Sequence, residues 1–215
     1  MKFSRRTNDQ LFATRRIENL TDGVFAIAMT VLVLDLKIPY GAVITSQQDM
    51  LNYFSQNAAL FRNFIISFLL LATFWAIHMR QFEQVDRIDR HGTMVNSLRL
   101  LLVVLIPFTT SVAGNYPDIM IARELMALNF FLLSLATTWQ WYYVSKHPEF
   151  SDDLTDSMRR YGMRRNLAFA TVAGIVCIAV IFMHDYGYFF YFLIPVFMYF
   201  ATRNLKVVRR SEEKG

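Results

Sequence analysis

Residues Arg16–Pro39, RIENLTDGVFAIAMTVLVLDLKIP, decide the fold of this chain of 215 residues. A polar, charged run opens directly into an apolar stretch that carries no charge from Gly23 to Leu34. Asp35 follows, and Pro39 is expected to stop the helix because proline cannot continue one. As a helix, residues 20–38 would span about 30 Å, the thickness of a bilayer's hydrocarbon core. The stretch therefore predicts a transmembrane helix with an acid at each end.

The rest of the chain repeats this pattern of long, nearly uncharged blocks. Hydrophobic residues make up 54% of the sequence, and they do not form the amphipathic stripes that a soluble domain would show. We predict an all-α integral membrane protein with six spans, at about residues 20–38, 61–82, 98–116, 123–144, 166–184 and 187–203. Residues 1–215 are expected to form a single six-helix transmembrane subunit.

Lysine and arginine are distributed unevenly between the two sides of this predicted bundle. Nineteen lie in the N-terminal segment, the second-to-third and fourth-to-fifth connections and the C-terminal tail, whereas the alternate side holds only Lys37, Arg62 and Arg123. Because positive residues are retained in the cytoplasm, both termini are predicted to be cytoplasmic. The polar, basic first sixteen residues predict no cleavable signal peptide. Membrane orientation also explains the net charge of +5 better than nucleic-acid binding does.

Two connections are predicted to form charged cytoplasmic helices. Glu83 with Arg87 and Asp86 with Arg90 are favourable i,i+4 pairs, which would extend the second span into the cytosol. In residues 151–162 acids come first and arginines last, and Gly162 is expected to end that helix.

Four residues of the first helix share one face because they lie at i, i+3, i+4 and i+7: Ile27, Thr30, Val31 and Leu34. Such a face either packs against protein or borders a path for solutes. The Thr30 hydroxyl either faces such a path or bonds back to the carbonyl of Ala26.

The two acids of this helix call for separate explanations. Asp22 lies at the rim of a span, where an acid is costly and usually paired. Its candidate partners are Arg16 and His78, which lies near the cytoplasmic end of the second span beside Trp75. Asp35 would form an acidic ring that attracts cations if several chains assembled around this helix, or else be a solvated mouth residue.

The sequence lacks the motifs of common enzymes, including H-E-x-x-H, G-x-S-x-G and the Walker sequence. No enzymatic activity is therefore expected. Four scattered histidines and one cysteine, Cys177, predict neither a transition-metal site nor an intrachain disulfide.

The order Arg16-x-x-x-Leu20-Thr21-Asp22, followed by GVFAIAMTVLVLDLKIP, resembles the R-x-x-x-F-S-D signature of the transmembrane protein 175 family. These are lysosomal and bacterial potassium channels, and the bacterial members have six spans per subunit. Leu20 replaces phenylalanine and Thr21 replaces serine, with chemical character kept. Like the family, the chain has no glycine-rich TVGYG-type filter loop.

The resemblance implies roles for the residues of the first helix. In the family the first helices of the assembled subunits line the pore, and bulky aliphatic side chains form its narrowest point. By position Ile27 would be the constriction, Thr30 a hydroxyl ring for selectivity, and Val31 and Leu34 further apolar layers. The signature residues Arg16, Thr21 and Asp22 would brace the helix against Trp75 and His78 of the second span.

The function predicted is a potassium-selective cation channel with a hydrophobic constriction, built from six-helix subunits in the cell membrane. A homotetramer is implied, since a pore lined by one helix per chain needs several chains around an axis. Potassium is the permeant ion, and no cofactor or nucleic-acid partner is expected. Two alternatives stay open: a proton-coupled secondary transporter using Asp22 and His78 as a relay, and a membrane scaffold without a pore. No inverted repeat supports the transporter.

Overall fold

The computed structural model of the protein describes residues 12–38, 44–151 and 153–204. Helices dominate these residues, which confirms the all-α fold class. The α-helices are α1 (Arg15–Val31), α2 (Gln47–Gln56), α3 (Ala58–Phe82), α4 (Arg90–Asn115), α5 (Met120–Lys146), α6 (Asp156–Met183) and α7 (Ile194–Thr202). Short 3-10 helices follow three of them, at Leu32–Asp35, Pro148–Phe150 and His184–Leu193.

Five helical stretches among the described residues are long and apolar enough to cross a membrane. Four are α1 with its 3-10 extension, α3, α4 and α5, and the fifth is the continuous stretch Asp156–Thr202. Within that stretch the chain reverses at His184, which has a φ of 54°, and α7 runs back along α6. Gly187 permits the close return, because a Cβ there would lie 2.6 Å from the backbone nitrogen of Val180. The six crossings and the cytoplasmic termini stay predictions.

The centre of the bundle is formed by α3, α4, α5 and α6. Their facing side chains are completely buried, for example Leu71, Val103, Phe130 and Val176. The first helix packs against α3 and α4 at one edge, and α7 packs against α6 at another. In its most apolar stretch α1 has only 22% of its residues buried, against 44–56% in the other four. Much of the α1 surface is therefore left uncovered by its own chain.

The connection between α3 and α4 is not helical, so the predicted charged extension of the second span is wrong. It contains strand β2 (Arg87–Ile88), which pairs antiparallel with strand β1 (Phe12–Ala13) just before α1. Asp89 then caps α4 by accepting a hydrogen bond from the Gly92 backbone nitrogen at 2.7 Å. Because α3 and α4 are antiparallel neighbours, this short connection must reverse the chain and cannot continue the helix.

Gly162 does not end a cytoplasmic helix, contrary to the prediction from its charge pattern. Helix α6 starts after Thr155, whose hydroxyl accepts from the Met158 backbone nitrogen, and continues unbroken past Gly162. A Cβ at Gly162 would lie 2.4 Å from the Trp141 ring, so the glycine allows α5 and α6 to pack closely.

Pro107 and Pro195 both lie inside predicted spans, and Pro107 lies within α4 in the structure. Pro195 lies in the first turn of α7, where its missing N–H is tolerated, so it begins a helix and does not kink one. The predicted stop at Pro39 lies outside the described residues.

Candidate functional site

The two faces of α1 have opposite surroundings. Its buried stripe consists of Thr21, Phe25 and Ala28 and continues to Leu32 in the 3-10 helix. The opposite stripe contains the residues that the sequence placed on one face: Ile27 is 64% exposed, Val31 37% and Leu34 66%, and Thr30 is exposed too. A single chain therefore presents these four side chains outward, where lipid, solvent or another subunit can meet them.

The Thr30 hydroxyl is bonded within its own helix. It lies 3.1 Å from the carbonyl oxygen of Ala26 and 2.9 Å from that of Ile27 and donates to them. This is the back-bonded geometry that threonine commonly adopts in apolar helices. Because the proton points toward the backbone, the oxygen lone pairs face outward and remain free to accept a hydrogen bond or contact a cation.

Asp35 ends the 3-10 helix at the far end of this face and is partly exposed. Among the described residues, its carboxylate has neither a hydrogen bond nor an ion pair. The backbone just after Asp35 is held by Tyr53 of α2, whose hydroxyl donates to the Lys37 carbonyl at 3.1 Å. The carboxylate thus lies at the end of the exposed face, and no cation in residues 12–38, 44–151 and 153–204 forms an ion pair with it.

Asp22 is paired with the second candidate span through Trp75, one of the two bracing residues that the resemblance implies. The Trp75 indole nitrogen donates to its carboxylate oxygen at 2.9 Å. Within the described part of the chain, neither Arg16 nor His78 pairs with Asp22, and Arg16 is exposed. The hydrogen bond fixes the rotation of α1 relative to α3 near the start of the apolar stretch.

Thr21 forms the end of a buried polar chain that crosses three helices. The Asn96 side-chain nitrogen on α4 donates to the Thr21 hydroxyl at 3.2 Å. Gln140 on α5 in turn donates to the Asn96 side-chain oxygen, also at 3.2 Å. A hydrogen bond of this kind orients buried helices, because an unmet polar group in an apolar interior is costly.

His78 pairs with Arg99 of α4. The Arg99 Nη2 atom lies 2.7 Å from Nδ1 of His78, and both side chains are buried. Because a guanidinium only donates, Nδ1 must be the acceptor and the imidazole proton must sit on Nε2. In this arrangement His78 is a neutral structural partner of a buried cation.

The sequence interpretation missed Asn96, Arg99 and Gln140. Arg99 was counted among the cytoplasmic charges, yet it is only 1% exposed inside α4. The available signal was spacing: Asn96 and Arg99 lie three residues apart, so they share a helix face at the rim of an apolar block. No group of three or more histidine, cysteine or acidic side chains suited to a metal ion occurs in residues 12–38, 44–151 and 153–204.

The family model described as the endosomal/lysosomal potassium channel TMEM175 matches residues 16–107, which include α1, α3 and most of α4. A potassium channel of Chamaesiphon minutus is 32% identical over 147 residues, covering 66% of this chain and 68% of that protein. A potassium channel of Streptomyces collinus is 24% identical over 172 residues, covering 78% of this chain and 82% of that protein.

A solved structure has the same fold. It is the crystal structure of a lysosomal potassium-selective channel TMEM175 homolog from Chamaesiphon minutus, which superposes with a TM-score of 0.65 at 26% identity. The similarity covers 88% of this chain and 98% of that one. The similarity therefore extends well beyond residues 16–107, the region of the family match.

Proposed function

The chain belongs to the TMEM175 family, and we propose that it is a subunit of a potassium-selective cation channel whose pore is lined by α1 of each subunit. One observation carries the proposal. The α1 face with Ile27, Thr30 and Leu34 is left exposed by its own subunit, while polar contacts to α3 and α4 hold the opposite side. The similarity to bacterial potassium channels supports this choice among membrane functions.

Ile27 is proposed as the constriction. Several copies of an outward-pointing isoleucine meeting on an axis leave a narrow apolar ring that water avoids. Such a ring blocks ions while it is dry and forces a passing ion to lose part of its hydration shell. Potassium loses hydration water more readily than sodium, so the ring favours potassium.

Thr30 is proposed as the selectivity layer, about 4.5 Å further along the helix. Its back-bonded hydroxyl directs oxygen lone pairs outward, so a ring of copies replaces part of the lost water. Val31 and Leu34 would add apolar layers. Asp35, without an ion-pair partner among the described residues, would attract cations to the outer mouth.

The same geometry supports the proposed assembly. A closed cyclic oligomer places identical faces around one axis, and the family resemblance makes a homotetramer in the cell membrane the proposed state. Gly23 lies on the exposed side of α1, and no heavy atom approaches within 4 Å of where its Cβ would be. Small residues of this kind let neighbouring membrane helices approach closely.

The transporter alternative needs a proton path between Asp22 and His78. Their hydrogen bonds lead in different directions, to Trp75 for Asp22 and to Arg99 for His78. The His78 Nδ1 atom is already occupied as an acceptor. The geometry therefore favours a bracing role for both residues over a relay.

Flux through purified protein in liposomes tests the channel and its constriction together. The unmodified protein should carry a potassium current whose reversal potential lies at the Nernst value for potassium, and cross-linking should stop at four subunits. Ile27→Ala and Ile27→Asn should raise conductance and weaken discrimination against sodium. Thr30→Val should weaken selectivity without enlarging the pore.

Ile178 offers a matched control, since it is the same residue with similar exposure, 61%, on α6. Met29 is a poorer control because it packs against the core. Ile178→Ala should leave current and selectivity unchanged. If Ile27→Ala behaves like Ile178→Ala in a protein that conducts, α1 is not the pore wall.

A further inference from the structure

A groove separates α6 from α7 on a side of the bundle that the proposed pore does not use. It has a volume of about 670 Å³, within the range of ligand sites in proteins. We call it the α6–α7 groove, and its apolar walls include Leu167 and Ala168 of α6 and Val196, Phe197 and Phe200 of α7. Arg164 lines one end.

The walls of the groove suit a hydrocarbon chain. Its one hydroxyl, Thr171, already donates to the Leu167 carbonyl at 2.9 Å, so it does not require a polar occupant. From Arg164 to Thr171 the groove follows α6 for about 10 Å, from the rim of the span into the apolar region.

The end of the groove suits an anion. Arg164 is exposed there, and the Arg203 guanidinium lies over the Phe200 ring, 5.2 Å from its centre. Among the described residues no acidic side chain forms an ion pair with either arginine. The charge count places this end of the bundle on the cytoplasmic side, where anionic lipid headgroups attract basic residues.

We propose that the α6–α7 groove binds one anionic phospholipid, with an acyl chain between the two helices and the phosphate held by Arg164 and Arg203. Positive charge at a groove rim and apolar walls below it match the two halves of such a lipid. A zwitterionic lipid fits the walls equally well but is attracted less to the two arginines, which gives the site its selectivity.

The test is native mass spectrometry of the full chain in mild detergent, titrated with phosphatidylglycerol or phosphatidylcholine. A basic residue near a membrane surface attracts anionic lipid strongly enough that the loss of one of the two arginines should weaken phosphatidylglycerol retention about fivefold. The loss of both arginines should weaken it roughly 25-fold. The variants are Arg164→Gln, Arg203→Gln and their combination. Arg87→Gln is the matched control, because Arg87 is exposed on the same predicted side but lies in β2, away from the groove.

A second variant separates the groove from simple surface charge. Ala201 lines the groove, and Ala201→Phe should displace the acyl chain and reduce retention although both arginines remain. The proposal is wrong if the double variant retains phosphatidylglycerol normally, if Arg87→Gln loses as much as Arg164→Gln, or if phosphatidylcholine is retained equally. Displacement of the lipid by inorganic phosphate alone would also overturn it, since the site would then hold a free anion. Binding is measured without ion flux, so this outcome is independent of the proposed channel function.

Discussion

Replacing His78 by leucine should destabilise the protein severely, because it strands the guanidinium of Arg99. That side chain is 1% exposed, and its one hydrogen bond among the described residues runs to His78 Nδ1 at 2.7 Å. The Nε and Nη1 atoms of Arg99 are buried and have no hydrogen-bond partner among the described residues. Leaving a buried charge without its partner costs about 3–5 kcal/mol, which is roughly a 100- to 4,000-fold loss in the folded-to-unfolded ratio.

Denaturation in mild detergent, followed by circular dichroism, measures this loss as a change in the free energy of unfolding. His78→Gln keeps an acceptor oxygen and should lose no more than about 1.5 kcal/mol, the value of one hydrogen bond. The combined His78→Leu and Arg99→Leu variant removes the stranded charge, so it should recover most of the stability. Wild-type stability in His78→Leu alone would refute the reasoning. If His78→Gln folds normally but loses only proton-coupled uptake, the relay mechanism is correct.

Three further predictions concern topology, packing and pH. With Cys177 replaced, a cysteine at the exposed position Gln47 should react with an impermeant maleimide only from outside, and a cysteine at Arg87 only from inside. Labelling of both cysteines from the same side would contradict the six-span topology. Gly162→Ala should cost about 1–3 kcal/mol in detergent unfolding because its Cβ collides with Trp141. Gly23→Ala meets no atom of its own subunit and should not destabilise the dissociated subunit; equal effects on that subunit would exclude the collision. The Ser46 hydroxyl and the backbone N–H groups of Thr45 and Ser46 lower the pKa of Asp49. The stability that the ionised acid gives α2 is therefore fully present above the ordinary pKa of ~3.9 and is lost as the pH falls through the lower pKa of the folded state. Hydrogen exchange in α2 should therefore accelerate in that acidic range, and Ser46→Ala should bring the change to a higher pH; exchange independent of pH after correction for intrinsic rates would contradict the capping.

The sequence was informative wherever length and the absence of charge decide the outcome. An uncharged run from Gly23 to Leu34 has few options other than an apolar helix, and α1 forms there. Its helical period also predicts which side chains share a face. The exposed positions of Ile27, Thr30 and Leu34 follow from that period once the opposite stripe is buried.

The polar partners could not be predicted, because they depend on how α3 and α4 align. A charge near a span edge normally reaches water, so Arg99, at the edge of the predicted span 98–116, was counted among the cytoplasmic charges. Its burial depends on an acceptor 21 residues earlier, which only an antiparallel alignment of α3 and α4 places opposite it. The same alignment forces the chain reversal at β2, where i,i+4 charge pairs had suggested a helix. Local patterns carry no information on either point.

The distribution of contacts along α1 gives a reason for the proposed constriction to lie at Ile27. The hydrogen bonds that join α1 side chains to other helices lie at Thr21 and Asp22. Beyond them the packing is apolar until the Tyr53 hydroxyl donates to the Lys37 carbonyl, past the 3-10 helix. A tilt of α1 would therefore pivot near Asp22 and would have to break the contact between Tyr53 and Lys37. Ile27 lies about 7.5 Å beyond that level and Leu34 about 19 Å, so Leu34 would move sideways more than twice as far. In the proposed channel the ring nearest the pivot keeps the most constant width, which a selective constriction requires, while the outer apolar layers move further once the contact between Tyr53 and Lys37 is released.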